Sequence, residues 1–256
     1  MSSTVSTPTQ NDSANPGDPA PETGTADWKQ YAQYRGRILF RDRLSRSMVQ
    51  IIVEKPDDFE FEPGQGVQMS IDEEGRREDK CPMFIASLPH ERRVEFLVHD
   101  DGDESTLNQY LAGECPIGTR VLFDAPETMV RNEGPGVMIA AGAGLAAFVS
   151  LIRSANQRDA IDGHRLFMVN PTADDVFLQR EMVRVLGHSV TSTLTEQQHR
   201  DFEHGQVDRT WLEDRVKQYD QPFYLAGPKS MVHELESILN DLGATNIQTV
   251  PWENSI

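Results

Sequence analysis

Short apolar runs alternate with turn chemistry along most of this chain, and the rhythm of that alternation changes near Gly136. Between Trp28 and about Val130, the runs Arg37–Phe40, Met48–Val53, Val67–Ile71, Met83–Ala86, Val94–Val98 and Arg120–Phe123 are rich in branched or large apolar residues. Pro56-Asp-Asp, Pro63-Gly-Gln-Gly66, Glu73-Glu-Gly75 and Pro116-Ile-Gly118 punctuate them with residues that favour turns. Strands at this spacing predict a small antiparallel β-barrel. One helix is predicted inside the series, Ser105 to Ala112, with Leu107 and Leu111 on one face.

After Gly136 the order becomes strand, helix, strand, helix. Strands are predicted at Val137–Ala141, Leu166–Val169, Val190–Leu194, Phe223–Ala226 and Ile247–Val250. Helices are predicted at Leu145–Ala155, Asp174–Leu186, Thr210–Lys217 and Met231–Leu242, with Gly187 and Gly243 as C-caps. This alternation predicts a Rossmann-like parallel sheet flanked by helices, with ligands at the carboxyl ends of its strands. The domain division that follows is a tail over 1–27, a β-barrel over 28–132 and an α/β domain over 133–256. The tail contains no Lys, Arg or aromatic residue, and it is expected to be disordered because it has little apolar surface to bury.

Two glycine motifs stand at predicted strand ends. Val137 to Ala141 stops at Gly142-Ala-Gly144 and gives way to an apolar helix; Phe223-Tyr-Leu-Ala226 stops at Gly227-Pro228 and leads through Met231 into the last helix. Glycine lets the backbone approach a phosphate, and the free N–H groups of the helix start favour its charge. The first motif lacks the third glycine of the dinucleotide fingerprint, so Gly142 and Gly144 serve either a nucleotide or only the turn. Asn170-Pro-Thr follows the second strand of the same unit.

Charge narrows the partners. The chain carries 41 acidic and 24 basic residues, a net charge of −17. That balance speaks against nucleic acid, which demands a positive footprint, and equally against an anionic membrane surface. Its acid-rich, lysine-poor composition is what a protein of a high-salt cytoplasm would show, because screening removes the self-repulsion. Cys81 and Cys115 are the two cysteines, too few for a disulfide framework or a four-cysteine zinc or iron–sulfur site within this sequence. With no run of about 18 apolar residues and no basic-then-apolar leader, the expected location is cytoplasmic.

From about Tyr34 to Trp252 the chain resembles the ferredoxin–NADP reductase superfamily, especially bacterial flavodoxin and ferredoxin reductases without a fused cluster domain. The matching segments run in the family's order: Phe61-Glu-Pro-Gly-Gln65, Ile85-Ala-Ser-Leu-Pro89, Val94-Glu-Phe-Leu-Val98, Gly136 to Phe148, and Tyr224-Leu-Ala-Gly-Pro228 with Met231. The resemblance implies a barrel that binds FAD and an α/β domain that binds NADH or NADPH. In the family an Arg-x-Tyr-Ser/Thr segment holds the flavin; here Cys81-Pro82-Met83-Phe84 stands in its place, without the charge, the phenol or the hydroxyl. Gly102-Asp-Glu-Ser105-Thr106 resembles the turn and helix start that cap the flavin's pyrophosphate, although Asp100, Asp101, Asp103 and Glu104 crowd it with negative charge. Val98 and His99 are implied under the ribityl chain, and Trp252 as a stacking partner.

On the nicotinamide side the implied contacts are Gly142, Gly144, Asn170, Gly227, Pro228 and Met231. Ala226 stands where the family has a cysteine beside the nicotinamide. Asn170-Pro-Thr-Ala-Asp-Asp175 offers no arginine for a 2′-phosphate, which favours NADH. The implied activity is NAD(P)H oxidation through FAD, with electrons passed to a separate acceptor: a flavodoxin, a ferredoxin or a small oxidant. The alternative is a reductase-like fold without tight flavin binding, acting as a nucleotide-binding or interaction module.

Overall fold

The computed structural model describes residues 28–103, 105–113 and 115–252, with 251 and 252 described by backbone alone. The tail expected over 1–27 lies outside the described residues.

The first half builds an antiparallel sheet from β1 (Tyr34–Arg43), β2 (Met48–Glu54), β3 (Gln65–Ile71), β4 (Cys81–Phe84), β5 (Arg93–His99), β6 (Arg120–Phe123) and the short β7 (Glu127–Thr128). Its order is β4-β3-β6-β1-β2-β5, with β7 against β3. The two ends meet: Ile85 bridges to Phe96, and the Ala86 N–H donates to the Glu95 carbonyl at 2.8 Å, so the sheet closes into a barrel and protects its edges. Alternation decides what faces inward. Ile38, Val49, Ile51, Val67, Met83, Phe96 and Phe123 share one core, in which Phe59 packs edge-on against Phe123 at 5.0 Å between ring centroids. Helix α1 (Leu107–Ala112) adds Leu111 and Ala112 to that core, and its N-cap Thr106 accepts the Gln109 N–H.

The second half is a parallel sheet of β8 (Val137–Ala141), β9 (Arg165–Asn170), β10 (Val190–Leu194), β11 (Glu203–His204), β12 (Phe223–Pro228) and β13 (Ile247–Trp252), in the order β11-β10-β9-β8-β12-β13. Helices α2 (Ala146–Gln157) and α3 (Gln179–Leu186) add to a core on one face. On the other face, α4 (Arg209–Arg215) and α5 (Lys229–Asp241) cover a second core. Every residue of β8 is buried, as a central parallel strand requires. The chain leaves β8 toward β9 and returns to its other side at β12, which makes the β8/β12 crevice the topological switch point.

The helix expected over Asp174–Leu186 is broken. Thr172 and Asp175 form a capping box around a single 3-10 turn, Val176 is extended, and Leu178 adopts a positive φ of 53° before α3 begins at Gln179. A self-capped turn satisfies the groups that a continuous helix would have used. Strands β7 and β11, two residues each, are too short to show in the hydrophobic pattern.

One half-buried cation joins the halves. Arg153 on α2 reaches Glu95 of β5 at 2.6 Å, the Ala86 carbonyl at 2.9 Å and Glu181 of α3 at 2.7 Å, while Gln50 of β2 donates to Glu95 at 2.7 Å. Burial works against the Arg153 charge; hydrogen bonds and charge from Glu181 and Glu95 outweigh it and raise its pKa. Nearby, the Gly64 N–H donates to Ser150 Oγ at 3.0 Å, a second buried bond across the same seam.

Candidate functional site

At the switch point, β8 ends where Gly142 takes a φ of +49°, a conformation that costs other residues strain. A Cβ there would meet nothing within 4 Å, so the space over the turn is open. Gly144 and Leu145 continue as a buried 3-10 turn into α2, and no side chain caps either start. Gly227 at the end of β12 has a different reason to be glycine: a Cβ would stand 2.9 Å from Met231 Cε and 3.0 Å from Ala141 Cβ. It lets β12, α5 and the end of β8 pack at one point. Pro228 follows as the residue before α5.

Asn170 closes the same edge. It is 3% exposed at the end of β9, its backbone carbonyl accepts the Thr195 N–H at 2.9 Å, and its Oδ1 has no partner among the described residues. A buried acceptor without a donor is costly, and a hydroxyl or amine of a nucleotide would supply one. The open cradle at Gly142 and the unpaired acceptor at Asn170 fit a bound dinucleotide. Sequence reasoning placed Gly142, Gly144, Asn170, Gly227, Pro228 and Met231 here, and the sheet brings them to one carboxyl edge.

The barrel side is assembled differently. Met83 points into the barrel core, Pro82 is exposed, and Phe84 on the opposite face of β4 packs against the core that the barrel shares with α2. At the seam between the two halves, the glycine turn Gly142–Leu145 lies against β5. Val98 is fully buried in the barrel and His99 is half-buried beside it; burial lowers the His99 pKa, opposed by Asp101 and Asp100. Trp252 pairs its backbone with Pro228, and its side chain lies outside the described residues.

A flavin ring fits the apolar surface at Phe84, but the strand supplies no cation for its phosphates. The Cys81 thiol is pushed up to about 12 by burial and by Asp101, so it stays neutral, and its Sγ lies 3.5 Å from Asn108 Oδ1. At the start of α1 the expected donors are already engaged. The Ser105 N–H and hydroxyl both donate to Asp103 Oδ1, at 2.9 and 2.7 Å, and the Thr106 hydroxyl donates to Asp101 Oδ1 at 2.9 Å. Hydrogen bonds from Ser105 lower the Asp103 pKa, so that carboxylate keeps its charge. Gly102, with a φ of +73°, makes the turn that sets these acids in place. Glu104 lies outside the described residues.

Sequence reasoning missed Arg153 and Arg76. Ser150, Arg153 and Ser154 are the polar interruptions in the otherwise apolar run from Ala146 to Ala155, a signal that this face meets something polar. Arg76 gave no local signal, because its partner Tyr110 is distant in sequence. Among the described residues no cluster of His, Cys, Asp or Glu could hold a metal ion, and no helix is long and apolar enough to cross a membrane.

Residues 138–236 match the family of oxidoreductase NAD-binding domains. The chain is 29% identical over 215 residues to the electron transfer component of 2-halobenzoate 1,2-dioxygenase from Burkholderia cepacia, covering 80% of this chain and 62% of that one. It is 26% identical to the electron transfer component of anthranilate 1,2-dioxygenase from Acinetobacter baylyi, covering 71% of this chain and 54% of that one. The chain therefore spans less than two thirds of either relative's length. Among solved structures, the FAD/NAD-binding domain of a nitric oxide dioxygenase from Vibrio cholerae superposes with a TM-score of 0.75 at 18% identity, covering 86% of this chain and 98% of that one. A ferredoxin–NADP reductase from Neisseria gonorrhoeae, solved with FAD and NADP bound, superposes with a TM-score of 0.74 at 16% identity, covering 86% and 98%. The barrel and parallel sheet share the two-domain fold of these two solved structures.

Proposed function

We propose that this chain, an oxidoreductase NAD-binding domain joined to a barrel of the ferredoxin–NADP reductase fold, carries electrons from NADH through FAD to an acceptor held by another molecule. The observation that carries the reading is the seam where the open glycine turn Gly142–Leu145 lies against β5 of the barrel, the strand that carries Val98 and His99. A nicotinamide at the first and a flavin ring at the second would lie against each other. When bound, the flavin supplies uptake of a hydride and its release as single or paired electrons.

The chain's residues position and exclude. The Gly142 turn admits a phosphate to the start of α2, and Asn170 Oδ1 accepts from a nucleotide donor. Phe84, Ala143 and Leu145 keep water from the contact. Arg153 fixes the barrel against α2 and so sets the spacing on which hydride transfer depends. NADH is favoured over NADPH because Asp174 and Asp175 follow β9 and would repel a 2′-phosphate. The electron transfer components among the relatives point to an oxygenase or ferredoxin as the acceptor, and two cysteines are too few for a cluster ligated by four within this sequence.

Anaerobic reconstitution with FAD tests this. Oxidised-flavin absorption that survives gel filtration and bleaches on adding NADH, faster than with NADPH, is the expected result. A protein that retains no flavin, or whose bound flavin NADH leaves oxidised, overturns the reading.

A further inference from the structure

The loop between β3 and β4 and the start of α1 enclose a cavity of about 520 Å³. Arg76, Asp79, Ser105, Thr106, Gln109 and Tyr110 line it. The Arg76 guanidinium lies over the Tyr110 ring, 4.1 Å from its centroid, and its ion pair with Glu73 is long at 3.9 Å and solvent-exposed. Gln109 Oε1 is buried and has no hydrogen-bond partner among the described residues. Cys81, at the head of β4, contacts Asn108, the residue before Gln109, so the cavity opens beside the place where the resemblance expects an arginine.

These groups have a specific chemistry. A guanidinium forks onto phosphate oxygens and also offers a flat face for stacking. An unpaired amide oxygen calls for an N–H donor, which the exocyclic amine of adenine provides. A carboxylate such as Asp79 accepts from ribose hydroxyls. The Ser105 and Thr106 hydroxyls are engaged by Asp103 and Asp101, and Arg76 is the cation that lines this cavity.

Resting on the flavin reading above, we propose that the cavity receives the adenylate end of FAD, with Arg76 supplying the charge that β4 lacks at Cys81. The cofactor is then held from the β3–β4 loop, with its ring directed toward Phe84.

Equilibrium titration of the purified protein with riboflavin, FMN and FAD, followed by flavin fluorescence, tests this. The wild-type protein should bind FAD at least about 10-fold more tightly than FMN. Arg76→Ala should weaken FAD about 10- to 100-fold, the range for loss of a charged hydrogen bond to phosphate, and leave riboflavin unchanged. Arg76→Lys should fall between, keeping the charge without the fork. Arg37→Ala, which removes an exposed pair with Glu54 on β1, should change none of the three affinities. Unchanged FAD affinity in a folded Arg76→Ala protein overturns the proposal while leaving the flavin reading intact. Equal weakening of FMN and FAD overturns the adenylate assignment and moves Arg76 to the flavin-side phosphate. A wild-type protein that binds no flavin overturns both.

Discussion

The end of β8 and the head of β4 are the two halves of the proposed site, and they differ in what each half depends on. At β8 the working groups are backbone: a glycine at positive φ, open space above it, uncapped helix donors and one buried amide oxygen. At β4 the resemblance calls for side chains, a cation, a phenol and a hydroxyl, and Cys81, Met83 and Phe84 stand there instead. Shape is specified by where the chain turns, whereas charge must be placed residue by residue. The first half therefore keeps its backbone elements and lacks the cysteine whose place Ala226 takes, while the second is complete only if charge arrives from elsewhere.

The largest effect expected comes from uncoupling the halves. Arg153→Met would leave buried Glu95 and half-buried Glu181 without their cation, a change worth up to about 3–5 kcal/mol. The melting temperature should fall by about 10 °C. NADH should still bind, since the switch point lies wholly within the parallel sheet, while reduction of bound flavin slows. A variant that melts like the wild type would show that the ion cluster does not hold the two halves together.

Next comes Gly142→Val, which attacks the backbone half. A β-branched residue at φ +49° costs about 1–2 kcal/mol, and because the space is open no clash prevents folding. NADH affinity measured by calorimetry should drop about 10-fold or more, as phosphate contacts with the turn are lost. Unchanged affinity would mean that Gly142 only turns the chain. The converse experiment adds charge to the weak half. Cys81→Arg should tighten FAD about 10-fold by supplying a phosphate partner on β4. If Asp101 captures the new guanidinium instead, affinity will not move and the acidic turn is the dominant obstacle.

Much of this was legible in the chain. The barrel followed by an alternating sheet could be read from spacing, and Gly142, Asn170 and Gly227 from their places at strand ends, because both signals are local and periodic. Met83, a candidate flavin contact by the resemblance, instead turns inward with Ile85 into the barrel core, while Phe84 between them packs on the other face. Long-range partnership was not readable. Nothing near Arg153 announces Glu95, and nothing in the turn before Arg76 announces Tyr110, because such pairs exist only once the barrel has closed. The break at Leu178 escaped because a capping box and an apolar helix pattern overlap there, and the local hydrogen bonds of Thr172 and Asp175 won.

The smallest expected effect concerns pH and, at His164, touches neither half directly, which makes that residue the control for reading the others. His164, before β9, is 5% exposed with Nδ1 unpaired, and burial lowers its pKa below the ordinary 6.5. His99 is lowered in the same direction. A histidine held neutral in the folded state and free to protonate when unfolded gives the unfolded chain more protons as the medium acidifies. Stability is then full above pH 6.5 and declines as pH falls from there toward the folded-state pKa, by at most about 1.4 kcal/mol per pH unit for each such group. Thermal melts between pH 7.5 and 5.5 should show that slope, and His164→Gln should flatten it without altering NADH affinity at pH 7.5. A variant with the wild-type slope would place the acid sensitivity at His99, beside the acidic turn, and the pH dependence would then belong to the barrel half of the site.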